Sequence, residues 1–222
     1  MYSAIEKNIS VAAFLVFIIP TVTLFVCFQI IAYYYPDYHT IPFIDGKASV
    51  SQIGRGIKTI MVFKSGFVLY MLTSIFFYFK ISSFFLLKEI KNKFKILGLL
   101  SNLFLCVYIL ALGKEEFLYE ISRRLAITFY IASIYINHIY LIKILRFSKS
   151  KNKMQYNNIY LIIFYAIVTI MTILIIIGLP WVNPLFNYPS NLKNIIEWNY
   201  FLLTIIFYIP VSLIFFQLKT QN

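Results

Sequence analysis

The chain has 222 residues, 61% of them hydrophobic, 19% aromatic and only 13% charged, with a net charge of +12. Soluble domains are about 45–50% apolar and about 25% charged, so this composition, with a mean hydropathy of +0.81, is that of a membrane protein. A nucleic-acid binder concentrates its basic residues on a solvated domain; none is present here, which argues against nucleic acid as a partner.

A spanning helix needs about 20 mostly apolar residues. Six segments meet that length: approximately 9–31, 57–79, 96–112, 124–142, 158–179 and 195–216. Residues 1–222 therefore read as one all-α integral membrane domain, a bundle of six transmembrane helices. The first segment is too long for a signal-peptide core and has no A-x-A cleavage site, so it reads as a retained span. Cys27 and Cys106 lie inside apolar runs without CxxC or Cys/His ligand spacing. No disulfide framework, metal centre or cofactor is expected from them.

Orientation follows from the basic residues of the short connections. With both termini cytoplasmic, the inner segments hold Lys7, Lys80, Lys88, Lys91, Lys93, Lys95, Lys143, Arg146, Lys149, Lys151, Lys153 and Lys219. Of the acids only Glu6 and Glu89 join them; Asp37, Asp45, Glu115, Glu116, Glu120 and Glu197 fall on the outer side. The expected topology is N-in and C-in. The basic loops "KISSFFLLKEIKNKFK" and "KILRFSKSKNKMQ" set that topology and could also meet anionic headgroups.

The first outer connection reads "AYYYPDYHTIPFIDGKASVSQIGRG". Its tyrosines suit the interfacial aromatic belt. His39 with Asp37 and Asp45 could bind a metal or relay protons, although the spacing fits no ligand template and solvated loop residues are the plainer reading. Lys64, within span two, needs a partner or a wet cavity.

Before span four, "KEEFLYEISRR" places six charges in residues 114–124. Glu120 stands three and four positions before Arg123 and Arg124, which stabilises a helix start by about 0.2–0.5 kcal/mol per pair. One arginine can pair with Glu120. The other requires Glu116, a first-loop acid, Glu197 or an anionic lipid group. Asn137 and His138, near the far end of span four, read as interhelical hydrogen-bonding residues. Glu197 and Trp198 open span six in "IIEWNYF"; an acid at that position either touches water or takes a partner inside the bundle, with Arg123 or Arg124 on the same face. Pro20, Gly66 and Pro210 mark kinks or close packing.

In order, "IPFIDGKASVSQIGRG", "EEFLYEISRRLAITFYIASIYINH" and "IIEWNYFLLTIIFY" resemble the FRAG/DRAM/Sfk superfamily over nearly the whole chain. That superfamily includes damage-regulated autophagy modulators, the Sfk protein and a factor that remodels GPI-anchor lipids. The similar pieces are Pro42, Phe43, Ile44, Asp45 and Gly46, the pair Glu197–Trp198, and Glu120 with His138 bracketing span four. The chain departs from the family in "IDGKA", where many members carry a Ser-Asp-Thr-Gly-like loop, and in "SVSQIGRG", which replaces a Pro-Glu element.

The resemblance implies a multi-pass protein that handles or remodels a phospholipid or GPI-type glycolipid at a non-cytoplasmic polar cavity. Asp45, Arg55, Glu120, Arg123, Arg124, Glu197 and Trp198 would form the headgroup site, since guanidinium suits bidentate phosphate contacts. An enzymatic version is a lipid acyl-remodelling transferase with His39 as general base and Asp45 orienting it; no HxxxxD, GxSxG or HExxH pattern accompanies it. A small transporter or channel using Lys64, His138 and Glu197, and a non-catalytic membrane scaffold, are the alternatives. Membrane lipids are the expected partners. The expected location is an inner or plasma membrane in a bacterium, or a Golgi, ER or endolysosomal membrane in a eukaryote.

Overall fold

A chain in hydrocarbon must satisfy its backbone polar groups internally, and an α-helix does so within a single segment. The computed structural model describes residues 2–35, 41–84, 88–150, 154–178 and 189–221, and side chains within those ranges other than 2–5, 88–90 and 219–221. Its described residues form helices and connections, with no strand. The helices are α1 (Tyr2–Tyr34), α2 (Val50–Arg55), α3 (Ile60–Phe84), α4 (Lys88–Ala111), α5 (Phe117–Ser150), α6 (Asn158–Gly178), α7 (Ser190–Ile206) and α8 (Tyr208–Gln221). Six stretches are long and apolar enough to cross a membrane: Glu6–Tyr34, Ile60–Phe84, Lys91–Ala111, Phe117–Ser150, Asn158–Gly178 and Ser190–Leu218. These are the features of an integral multi-pass membrane protein.

Most helices overrun the apolar segments read from the sequence. The fourth was expected over 124–142, yet α5 runs from Phe117 to Ser150. At 1.5 Å per residue it is about 51 Å long, against about 30 Å of hydrocarbon. Apolarity marks the membrane-immersed part of a helix, whereas backbone hydrogen bonding continues into the polar flanks.

The last span is interrupted. Pro210 has no N–H for the Ile206 carbonyl, and its ring crowds that oxygen. The break falls there: α7 ends at Ile206, Phe207 intervenes, and α8 begins at Tyr208. Pro20 leaves α1 continuous, with Thr21 and Thr23 donating their hydroxyls to the carbonyls of Phe17 and Ile19 at 2.8 Å.

α1 packs against α3 and α8, α3 against α4, and α4 against α5; α6 is the most exposed span and borders α5, α7 and α8. The α1–α3 crossing is close because Gly66 has no side chain: a Cβ there would fall on the Thr23 side chain. Ser10 and Ser212 exchange hydrogen bonds with each other's carbonyls at 2.9 Å. That pairing sets the start of α1 beside the end of α8, so both termini lie at one end of the bundle. The opposite end carries residues 41–59, 112–116 and the start of α7.

Candidate functional site

The site is built on a loop that α7 holds by its backbone. Asp45 closes the loop's turn by accepting from the N–H groups of Ile41 (2.8 Å) and Lys47 (3.0 Å). Gly46 follows at φ +60°, and a Cβ there would fall on the Asn191 carbonyl. Ser49 and Gln52 then start α2 with a reciprocal capping box, in which Gln52 N–H donates to Ser49 Oγ and Ser49 N–H to Gln52 Oε1.

Three side chains of α7 donate to this loop. Asn194 reaches the Gly46 carbonyl (2.7 Å), Trp198 the Ala48 carbonyl (2.8 Å) and Asn199 the Phe43 carbonyl (3.0 Å). The Trp198 indole is fully buried, with Phe28 and Phe43 against it at centroid distances of 5.4 and 5.2 Å. The Glu197 carboxylate accepts from the backbone N–H groups of Val50 and Ser51, at the start of α2, with Arg55 as a cation acting on it. The segment read as "IPFIDG" and the segment read as "EWN" therefore meet in space.

The adjacent arginines of α5 part company. Arg124 is paired with Glu120 on the exposed surface. Arg123 turns toward the bundle, and its Nη1 is buried without a hydrogen-bond partner among the described residues. The hydroxyl of Tyr108, on α4, lies within electrostatic reach of Glu197, Arg123 and Arg55. Tyr108 is fully enclosed and lies one turn from the end of α4.

Tyr108 and Glu197 also border a cavity of about 40 Å³, walled by side chains that include Phe63, Phe67, Leu105, Ile127 and Ile131. Two tyrosines contribute rings while their hydroxyls are engaged elsewhere: Tyr130 with Tyr70 (3.0 Å), and Tyr200 with the Ile131 carbonyl (3.3 Å). The walls are consequently apolar. A charged, partly unsatisfied cluster bordering an apolar void has the polarity of an amphiphile, with a polar head and an apolar chain.

The residues singled out from the sequence thus fall into groups. Glu197 shares a cavity wall with Tyr108, and Arg55 and Arg123 act on that tyrosine electrostatically. Glu120 and Arg124 form a surface pair beside them. Asp45 and Trp198 build the loop. His39 lies outside the described residues. Lys64, half-buried on the second turn of α3, makes no hydrogen bond or ion pair among the described residues.

His138 departs from the expectation of an interhelical hydrogen bond. Its ring is buried and stacks on Phe207 at 3.8 Å, and neither nitrogen has a partner among the described residues. The helix break puts the Phe207 ring over the imidazole, and aromatic stacking replaces the hydrogen bond. Asn137 does reach another helix: its amide donates to the Phe94 carbonyl (3.1 Å) and accepts from Gly98 N–H (2.8 Å).

Sequence reasoning missed Tyr108, Asn194 and Asn199. Tyr108 sits in an unbroken apolar run and carries no local signal. The asparagines could have been noticed as polar side chains flanking Glu-Trp at a span start.

No family model matches this chain, and no curated protein or solved structure is similar to it.

Proposed function

We propose that this chain binds and handles membrane lipid through the Arg123–Tyr108–Glu197–Arg55 cluster, with the phosphate of a phospholipid or GPI-type glycolipid on Arg123. The carrying observation is the buried Arg123 Nη1 without a partner among the described residues, acting electrostatically on Tyr108, which itself borders an apolar cavity. An unsatisfied buried guanidinium nitrogen is costly to leave unpaired. A phosphate oxygen answers it with a charge-assisted, geometrically specific bond, and the cavity takes the start of an acyl chain.

In this reading both termini are cytoplasmic and the cluster faces the opposite side, which is supported by the bias of basic residues toward the termini's end. Membership of the FRAG/DRAM/Sfk superfamily is part of the same proposal. It is supported by the contact between its two most specific pieces, Phe43 against Trp198 and the Phe43 carbonyl on Asn199. A remodelling activity on the bound lipid would then act in the inner or plasma membrane of a bacterium or an endomembrane of a eukaryote.

The test is lipid retention. Protein purified in mild detergent should carry phospholipid detectable by native mass spectrometry, and Arg123→Met should lose it while Arg124→Met keeps it. Equal retention by both variants would overturn the assignment. A comparison of cellular acyl-chain profiles with and without the protein tests remodelling, an unchanged profile counting against it.

A further inference from the structure

Hydroxyls and carboxylates inside the bundle lie on one seam running from the Glu197 end to the other. Its hydrogen-bonded contacts, Tyr130–Tyr70, Asn102–Ser74, Tyr78–Tyr208 and Ser10–Ser212, each join two helices, and one helical turn along α3 or α8 separates each contact from the next. The first lies next to the cavity that Glu197 borders: Tyr130 of α5 and Tyr70 of α3 share a hydroxyl–hydroxyl hydrogen bond of 3.0 Å. One turn further along α3, Ser74 Oγ accepts from Asn102 of α4 at 3.2 Å. Another turn on, Tyr78 hydrogen-bonds to Tyr208 of α8 at 3.0 Å and interacts with Ser74, Ser101 and Asn137. Beyond Tyr208 by one turn, Ser212 meets Ser10 of α1: each hydroxyl donates to the other's carbonyl at 2.9 Å, and the two oxygens lie 3.3 Å apart. One turn back along α1 from Ser10 stands Glu6, buried at 4% exposure.

The depths agree along independent helices. At 1.5 Å per residue, Glu197 lies about 10 Å into α7, Tyr70 about 15 Å into α3, and Tyr130 about 20 Å into α5. By the same rise, Tyr78 lies about 27 Å along α3 and Tyr208 about 27 Å beyond the start of α7. Ser212 follows at about 33 Å, Ser10 at about 36 Å and Glu6 at about 42 Å from the same end. The order is monotonic, with a carboxylate near each end and hydroxyls between.

Interhelical hydroxyl pairs alone are common structural glue in membranes. Glue does not require ionisable groups at both ends, a serine one turn from each of two tyrosine pairs, or a regular advance through the full bundle. Chains of Asp, Glu and His relay protons in membrane pumps and transporters, and a hydroxyl placed between such groups is both donor and acceptor. His138, buried and with both nitrogens unpartnered, packs its ring edge against Tyr208 and adds a titratable group beside the middle of the seam.

We propose that this seam is a proton path across the bundle, running between Glu197 and Glu6 through the Tyr130–Tyr70, Ser74, Tyr78–Tyr208 and Ser212–Ser10 contacts. A proton taken up at one carboxylate passes by each hydroxyl accepting at its oxygen and releasing its own proton to the next. Every group thereby returns to its starting protonation state, and the hydroxyls reset by rotation. Net transfer moves one positive charge and needs no co-reactant.

The experiment uses full-length protein in liposomes with a pH-sensitive dye inside and a potassium diffusion potential set by valinomycin. Wild-type protein should acidify the lumen faster than protein-free liposomes. Tyr78→Phe and Ser212→Ala, which remove single hydroxyl groups at different depths, should each slow the flux roughly tenfold or more. Tyr33→Phe, at an exposed position off the seam, should leave it unchanged. Wild-type flux equal to that of empty liposomes overturns the proposal, as does wild-type flux in a folded Tyr78→Phe or Ser212→Ala variant. Two variants on different helices keep the test decisive if one fails to fold. Lipid retention at Arg123 is read separately and is independent of either result.

Discussion

Trp198 donates its indole N–H to the carbonyl of Ala48 at 2.8 Å, 150 residues away in the chain. This bond, with the neighbouring bonds from Asn194 and Asn199, makes the connection after α1 a fixed part of the bundle end. A loop held by its carbonyls keeps its shape whatever its side chains contact. Glu197 and Arg55 can therefore be presented at constant positions beside Tyr108.

Replacing Trp198 separates the bond from the bulk. Trp198→Phe retains most of the ring packing against Phe28 and Phe43 but leaves the Ala48 carbonyl without its donor, costing about 1–3 kcal/mol. Trp198→Ala removes the packing too and should cost about 3–5 kcal/mol. Thermal unfolding in detergent should rank the variants in that order; equal midpoints for Trp198→Phe and wild type would show that the bond contributes nothing.

The two arginines should behave oppositely. Arg124 and Glu120 are an exposed i,i+4 pair, with side-chain exposures of 77% and 42%, so Arg124→Met should change stability by no more than about 0.5 kcal/mol. Arg123→Met should abolish phospholipid retention with little loss of stability, because it removes a buried donor that has no protein partner among the described residues. Arg123→Lys should retain part of the lipid, since an ammonium keeps the charge without the planar fork.

Filling the cavity tests the chain half of the proposed lipid site. Ile127→Phe directs extra bulk into a void of about 40 Å³, and an occupied void is no longer open to an acyl chain. Lipid retention should fall while Arg123 and Tyr108 are unaltered. Retention equal to wild type would place the acyl chain elsewhere.

Gly66 makes a prediction about packing alone. Gly66→Ala puts a methyl group onto Thr23 and should destabilise the α1–α3 crossing by about 1–3 kcal/mol. Thr23→Ala in the same chain removes the Oγ1 and Cγ2 atoms that the new methyl meets first. The double variant should recover part of the loss, a non-additivity visible in a double-mutant cycle of unfolding midpoints. Strict additivity would mean that the crossing does not hold these residues in contact.

The six apolar segments and the all-helical class were legible in the sequence because each rests on a local rule; Pro20 and Pro210 were legible only as places where a helix could kink, and α1 runs on through Pro20 while the last span breaks before Pro210. Apolar length sets a span, and a missing N–H can break a helix about one turn upstream. The capping box of Ser49 and Gln52 is equally local, though the sequence reading passed over it. The chemistry of adjacent residues was not legible in the same way. Arg123 and Arg124 are identical in type and one position apart, yet a helix turns about 100° per residue, so one faces the bundle and the other the surface. Which of them does so depends on how α5 is rotated against α4 and α7, a property of packing that no single segment encodes. The same holds for Tyr108, invisible in its apolar run until α4 sets it beside Glu197, and for His138, whose stacking partner Phe207 exists only where α7 and α8 part. Local hydrophobicity and backbone chemistry determined what crosses the bundle; the rotation of each helix against its neighbours decided which polar groups meet.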